Sequence, residues 1–199
     1  VIALLFLHLV ESRGLQGAVV RTIATTRLID AIATKKGIKL YETPVGFKYI
    51  GELMVQNEII IGGEESGGLS IYRHVPEKDG IIACLLIAEL VAKQKKSLGE
   101  LLQEIYAEYG NYYEQRIDLK TDETRKQAIL SQLRANTPTI FAGLKVKEIK
   151  TIDGICFILE DGNWALIRPS GTEPVLRCYV ESTSREQLVR LLDSVNKLV

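Results

Sequence analysis

A chain of 199 residues has room for one large or two modest domains, each burying a core of its own. Lysine plus arginine and aspartate plus glutamate number 25 each, and this zero formal charge argues against a nucleic-acid footprint and against a polybasic membrane surface. The three cysteines, Cys84, Cys156 and Cys178, are widely spaced in apolar stretches without a C-x-x-C, which argues against a disulfide scaffold or a zinc site and for a reducing cytoplasm.

The apolar opening, residues 1–10, has no basic leader and no small-residue cleavage site and is too short to cross a bilayer, so it reads as a core helix. Its start in mid-helix without methionine leads to the expectation of a longer parent chain. Helix and strand then alternate: a strand over 18–23, a helix over 26–36 closed by Gly37 as a left-handed cap, a strand over 38–41, a helix over 47–56 and a strand over 58–61. Ile59, Ile60 and Ile61 run without alternation, as in a strand covered on both faces, which makes this part α/β. A glycine-bearing acidic loop, Gly62 to Gly68, leaves the carboxyl end of that strand, the edge at which open α/β sheets hold ligands.

Asp79 has the character of an N-cap, and Ile81, Ile82, Leu85, Leu86 and Leu90 after it predict a mostly buried helix. Ser97 with Glu100 forms a capping box for a second helix, whose stripe of Leu98, Leu101, Leu102, Ile105 and Tyr109 ends at Gly110. The domain boundary is placed there, giving 1–110 and 111–199.

The remainder reads as α+β. A strand over 112–119 leads to a helix capped by Thr121 or Asp122, then to strands joined by turns at Asp153-Gly154 and Asp161-Gly162. In the last strand Leu176, Cys178 and Val180 face the core and Arg177 projects from the other side. Thr183 with Glu186 is read as the capping box of a closing helix with Leu188, Leu191, Leu192, Val195 and Leu198 as its stripe.

Two loops carry the chemistry. Residues 62–68 offer carboxylates and a hydroxyl on a glycine-rich backbone, suited to the neutral hydroxyls of a sugar and repulsive to phosphate. No Lys-Ser or Lys-Thr follows, and the G-x-G-x-x-G spacing is absent, so neither a P-loop nor a dinucleotide site is read here. Residues 168–174, Arg-Pro-Ser-Gly-Thr-Glu-Pro, gather a guanidinium, two hydroxyls and a glycine N–H on a turn between strands, which suits a phosphate. Glu173 is expected to point away from the anion, and Arg177 is either a second cation or a solvated strand residue. His8 and His74 are too far apart in the sequence to assemble a metal site, and no metal ligands are assigned.

These loops, with Glu42-Thr43-Pro44-Val45-Gly46-Phe47-Lys48-Tyr49-Ile50 and His74-Val75-Pro76-Glu77-Lys78-Asp79-Gly80, are four words in an order that resembles the second half of the α-D-phosphohexomutases, the phosphoglucomutase and phosphomannomutase family. The resemblance implies a mixed-sheet α/β third domain followed by an α+β fourth domain with an antiparallel sheet and two helices. It implies hydroxyl recognition by Gly63, Glu64 and Ser66, the last two at the third and fourth carbons of the sugar. It also implies phosphate binding by Arg168, Ser170, Gly171, Thr172 and Arg177, and a basic contact to the substrate in the 73–78 segment, with Lys78 favoured and His74 second for a catalytic role. The parent would interconvert hexose 1-phosphate and hexose 6-phosphate, of glucose or mannose, through a phosphoserine and a bisphosphorylated intermediate. The family's serine loop and its magnesium-holding aspartate loop are missing from these residues, so the chain alone is expected to bind phosphosugar without turning it over. Magnesium would belong to the missing N-terminal domains, which are its expected partners together with the phosphosugar; no nucleic acid or membrane is expected. The rival reading is a stand-alone phosphosugar-binding or regulatory module.

Overall fold

A computed structural model describes residues 1–171 and 173–198. The chain divides into two compact units, Val1–Gly110 and Asn111–Val199.

In the first unit, β1 (Ala18–Thr22), β2 (Leu40–Thr43) and β3 (Ile59–Gly63) pair in parallel and β4 (Leu69–Ile71) returns antiparallel, giving a mixed sheet of order β2-β1-β3-β4. Every residue of β1 and β3 is buried, as the unbroken isoleucine run requires. Helix α1 (Ile2–Leu7) continues into a π-helical turn (His8–Ser12), and α2 (Leu28–Lys36), α3 (Phe47–Gln56), α4 (Gly80–Gln94) and α5 (Leu98–Tyr109) complete the unit. Gly37 closes α2 with φ 66°, a left-handed value that glycine adopts without strain. Phe47 and Ile50 of α3 pack on Ala18, Val20 and Ile59, while α1 packs on α2, α4, α5 and β3.

One ion cluster fixes the middle of this sheet. Arg21 is fully buried on β1, its guanidinium 2.5 and 2.6 Å from the two oxygens of Asp30 on α2 and 2.9 Å from Glu42 on β2. Losing one of those carboxylates would leave a buried charge short of a partner, a change that costs about 3–5 kcal/mol where such pairs are broken.

Helix α4 departs from its sequence pattern. Ala83, Leu86 and Leu90 are buried, but Ile81 is 75% and Leu85 60% exposed, so only one stripe of this apolar helix is covered. The helix lies against β4 and α1, with Ile82 and Ile87 half-buried at the edges of the stripe and Ile81 and Leu85 on the open side. Strand β2 also lies two residues later than the sequence pattern placed it.

The second unit is an antiparallel sheet of order β5-β10-β9-β8-β7-β6, built from β5 (Tyr113–Lys120), β6 (Ile140–Phe141), β7 (Leu144–Lys150), β8 (Ile155–Leu159), β9 (Trp164–Pro169) and β10 (Val175–Ser182). Helices α6 (Glu123–Ala135) and α7 (Arg185–Asn196) supply Ile129, Leu130, Leu133, Leu191 and Val195 to a core with Phe157, Ile167, Leu176, Cys178 and Val180. Trp164 is buried and donates its indole N–H to Glu181 at 2.7 Å. Asp122 caps α6 by accepting from the Arg125 N–H, whereas the Thr121 N–H donates to Pro174 O. The cap of α7 is Ser184, which accepts from Gln187, and not Thr183. Strand β10 runs through Ser182, and the Thr183 N–H is taken by Asn163 Oδ1, so the helix begins one residue later than Thr183 would dictate.

Candidate functional site

The acidic loop is shaped by close backbone approach. A Cβ at Gly62 would lie 2.3 Å from Ile50 Cγ2 and one at Gly63 2.4 Å from Ile2 Cδ1, so the close approach of β3 to α3 and α1 uses glycine, and a larger residue would make those side chains shift. The Glu64 N–H then donates to Gly68 O at 2.9 Å and the Gly67 N–H to Glu64 O at 3.1 Å, closing the turn into β4. Glu64 is left with a side chain only 8% exposed, and the Lys78 ammonium stands 3.5 Å from its Oε2. A side chain at Gly68 would crowd both, with Lys78 Cδ at 3.0 Å and Glu64 Oε2 at 3.4 Å from its Cβ. Ser66 is exposed on the same turn.

His74 is held differently. Its Nε2 is 2.8 Å from Asp79 Oδ2, while Asp79 Oδ1 accepts from the N–H groups of Ile81 and Ile82 as the N-cap of α4. The His74 contact, with those two N–H groups, holds the Asp79 carboxyl below its ordinary range. His74 also lines a cavity of about 310 Å³ with Met54, Asn57, Tyr72, Arg73 and Pro76, whose lining includes neither Glu64 nor Lys78. The structure thus brings together Gly63, Glu64 and Lys78 and ties His74 to the helix cap.

In the second unit, Arg168 on β9 and Arg177 on β10 are directly opposed in the antiparallel register, which puts both guanidiniums on one face. Like charges so placed repel, and each carries a counter-ion. Arg168 Nε donates to Asp153 Oδ2 at 3.0 Å, and Arg177 pairs with Glu173. Glu173, expected to point away from an anion, pairs here with Arg177. The Arg168 stem crosses Gly154, where φ is +79° and an added Cβ would sit 2.3 Å from Ile167 O and 2.7 Å from Arg168 Cβ. Ser170 is buried, with its N–H donated to Val175 O at 3.0 Å and its Oγ accepting from the Glu173 N–H at 3.2 Å. Gly171 is exposed at the turn, and Thr172 lies outside the described residues.

The model for phosphoglucomutase/phosphomannomutase alpha/beta/alpha domain III matches residues 1–109, and the model for the C-terminal domain of the same proteins matches residues 114–198. The chain belongs to the phosphoglucomutase/phosphomannomutase family. It is 35% identical to a phosphoglucomutase/phosphomannomutase of Thermococcus kodakarensis over 92% of this chain and 38% of that protein. A phosphoglucosamine mutase of Methanocaldococcus jannaschii is 31% identical over 96% of this chain and 41% of its own length. The open-form crystal structure of the Paramecium phosphoglucomutase parafusin superposes with a TM-score of 0.73 at 25% identity, over 98% of this chain and 39% of that one. The chain thus spans about two fifths of the length of these phosphohexomutases.

Three residues around these loops escaped sequence reasoning. Asp153 and Gly154 were legible only as a turn, and their pairing with Arg168 appears once β8 and β9 are adjacent. Lys126 is buried on α6, with its ammonium 3.2 Å from Ser170 O and 2.6 Å from Glu123. A signal for it existed: Lys126, Ile129, Leu130 and Leu133 recur at helical spacing, so a lysine occupies the buried stripe. Among the described residues no group of three His, Cys, Asp or Glu side chains could hold a metal ion, and none of their helices is long and apolar enough to cross a membrane.

Proposed function

We propose that this chain supplies the hydroxyl-reading and phosphate-gripping loops of a phosphohexomutase that interconverts the 1- and 6-phosphates of glucose or mannose. The observation that carries the reading is the pairing of Arg168 and Arg177 on one face beside an exposed glycine turn, in a chain whose other unit presents Glu64 against Lys78. A guanidinium fork matches phosphate oxygens, and two of them with the Gly171 N–H give an anion several donors. Glu64, nearly buried and held by its own turn, accepts from sugar hydroxyls, with Ser66 able to donate or accept beside it. Lys78, more exposed than its carboxylate partner, is placed to neutralise charge on a transferring phosphoryl group. His74 acts in this reading through Asp79 and the α4 cap, and not as a proton donor to the substrate.

Catalysis of this kind rests on positioning and charge neutralisation, so binding elements that never react still govern rate. The phosphoserine, the bisphosphorylated intermediate and magnesium are assigned to domains that precede domain III in the parent, which are this chain's proposed partners; alone, the chain binds and does not turn over. The three free thiols support a cytoplasmic setting.

Calorimetry with glucose 6-phosphate tests the reading. Saturable binding is expected, lost with Arg168→Ala and weakened with Glu64→Gln, and free glucose should bind far more weakly than the phosphate ester. No heat from either glucose 6-phosphate or inorganic phosphate rejects it. Assays of the intact parent on glucose, mannose and glucosamine phosphates then fix the sugar.

A further inference from the structure

The residue Lys126 is unaccounted for by either loop's sequence, and its placement is unusual. It is a lysine on the apolar stripe of α6, almost wholly buried, and its ammonium donates to the main-chain carbonyl of Ser170 at 3.2 Å while pairing with Glu123 at 2.6 Å. Burying an ammonium is costly unless it is hydrogen-bonded and paired, and both conditions are met here by one loop carbonyl and one carboxylate at the surface.

The carbonyl of Ser170 belongs to the same planar unit as the N–H of Gly171. Among the described residues there is no cis peptide bond, and in a trans peptide the C=O and the following N–H point in opposite directions. Holding Ser170 O inward against Lys126 therefore turns the Gly171 N–H outward. Gly171 is exposed, on the turn that follows Arg168. The rest of Ser170 is already committed to the frame of the loop: its N–H to Val175 O, its Oγ to the Glu173 N–H. Lys126 adds a hold on the carbonyl end of the Ser170–Gly171 peptide. A cation on the oxygen also draws electron density toward that end of the amide and makes its N–H a better donor, since linked hydrogen bonds polarise one another.

We infer that Lys126 is a positioning residue for phosphate, acting through the Ser170–Gly171 peptide, which it orients and polarises so that the Gly171 N–H meets the anion. This rests on the reading of residues 168–174 as a phosphate grip. Glu123 opposes it: the carboxylate neutralises part of the ammonium from the solvent side and sets how strongly the peptide is polarised.

Inorganic phosphate titrated into the isotope-labelled chain, with the Gly171 amide followed by NMR, tests this directly. In the wild type that amide should shift downfield and saturate, and Arg168→Ala should abolish the response. Lys126→Met, which keeps the length and apolar stem, should weaken phosphate about tenfold and move the Gly171 amide upfield in the free protein, and Lys126→Arg should recover most of the loss. Glu123→Gln, which keeps the side chain's shape at an exposed position, should strengthen phosphate roughly threefold and move the same amide downfield, in a protein whose fold is checked by its melting temperature. Should Lys126→Met fail to fold, the Glu123→Gln result decides alone. Phosphate affinity and Gly171 shift unchanged in Glu123→Gln, or wild-type affinity in a folded Lys126→Met, overturns the role of Lys126 and leaves the grip standing. Absence of a phosphate response in the wild type removes the grip itself, and Lys126 with it.

Discussion

The turn at residues 64–68 and the turn at residues 168–174 hold charge in opposite ways. In the first, two backbone hydrogen bonds fix the main chain of Glu64, whose carboxylate is nearly buried, and the opposing Lys78 stands 3.5 Å off and half in water. In the second, two guanidiniums share a face and each is closed by a carboxylate, Asp153 for Arg168 and Glu173 for Arg177. A carboxylate that accepts from neutral hydroxyls needs only to be held still. Neighbouring cations repel until an anion arrives, so counter-ions stand in, and on the proposed function a phosphate would bind the second turn by competing with them. Affinity there is a difference between two anions, whereas affinity at the first turn is a sum of hydrogen bonds.

The contrast breaks most sharply at Arg168. Its replacement by alanine should cost about a hundredfold in affinity for glucose 6-phosphate by calorimetry, at the upper end for a charged hydrogen bond, with the melting temperature little changed; an unaltered affinity removes Arg168 from the phosphate. Gly154→Ala comes next. A methyl group 2.3 Å from Ile167 O at a φ of +79° should cost about 1–3 kcal/mol of second-unit stability and push the Arg168 stem aside, read as a lower denaturant midpoint together with weaker phosphate binding. Glu64→Gln should weaken glucose 6-phosphate about tenfold while leaving inorganic phosphate unaffected, because it weakens hydroxyl contacts and the Lys78 pairing at the first turn and leaves the second turn untouched. Equal losses for both ligands would erase the distinction between the turns. Glu173→Gln should move the other way and strengthen phosphate about threefold by removing a competitor from Arg177; a loss of affinity would show that Glu173 orients Arg177 and does not mask it.

The smallest effect is in acid and belongs to the first unit. Glu89 accepts from Arg13, and with Lys93 this holds its carboxyl down to about 2 from an ordinary 4.5. A carboxyl depressed on folding stabilises above its unfolded value, so this contribution is intact at neutral pH, declines below about 4.5 and is gone below about 2. Carboxyl NMR of Glu89 should titrate near the lower value, and an ordinary midpoint would show that the ion pair does not hold in solution.

Much of this was legible from local pattern. Helix α3 begins and ends where its sequence signals place it, the Ser97–Glu100 capping box forms, and the isoleucine run of β3 is buried on both faces. What failed were choices that local pattern leaves degenerate. Helix α4 is apolar on two sides, and only the packing of Leu86 and Leu90 shows which side is covered. Thr183 and Ser184 are adjacent hydroxyls that can both cap, serine the better of the two, and the helix starts after Ser184 once β10 has run through Ser182. Within the second turn, Arg168 and Gly171 could be nominated from their chemistry, but the residues beneath lie far away in sequence: Asp153 is 15 residues from Arg168, and Lys126 is 44 from Ser170. A motif names the groups that could face a ligand; the residues that aim them arrive through the sheet and helix beneath.

The indole of Trp164 has a practical consequence. It is the chain's single tryptophan, it lies in the second unit, and it is sealed there with its N–H on Glu181. Its emission is therefore a built-in lamp for one half of the molecule. Denaturation followed by that light reports the second unit alone, while helical circular dichroism, drawn largely from α1 to α5, weights the first. Whether the two halves melt together or in turn can be read without adding a single label.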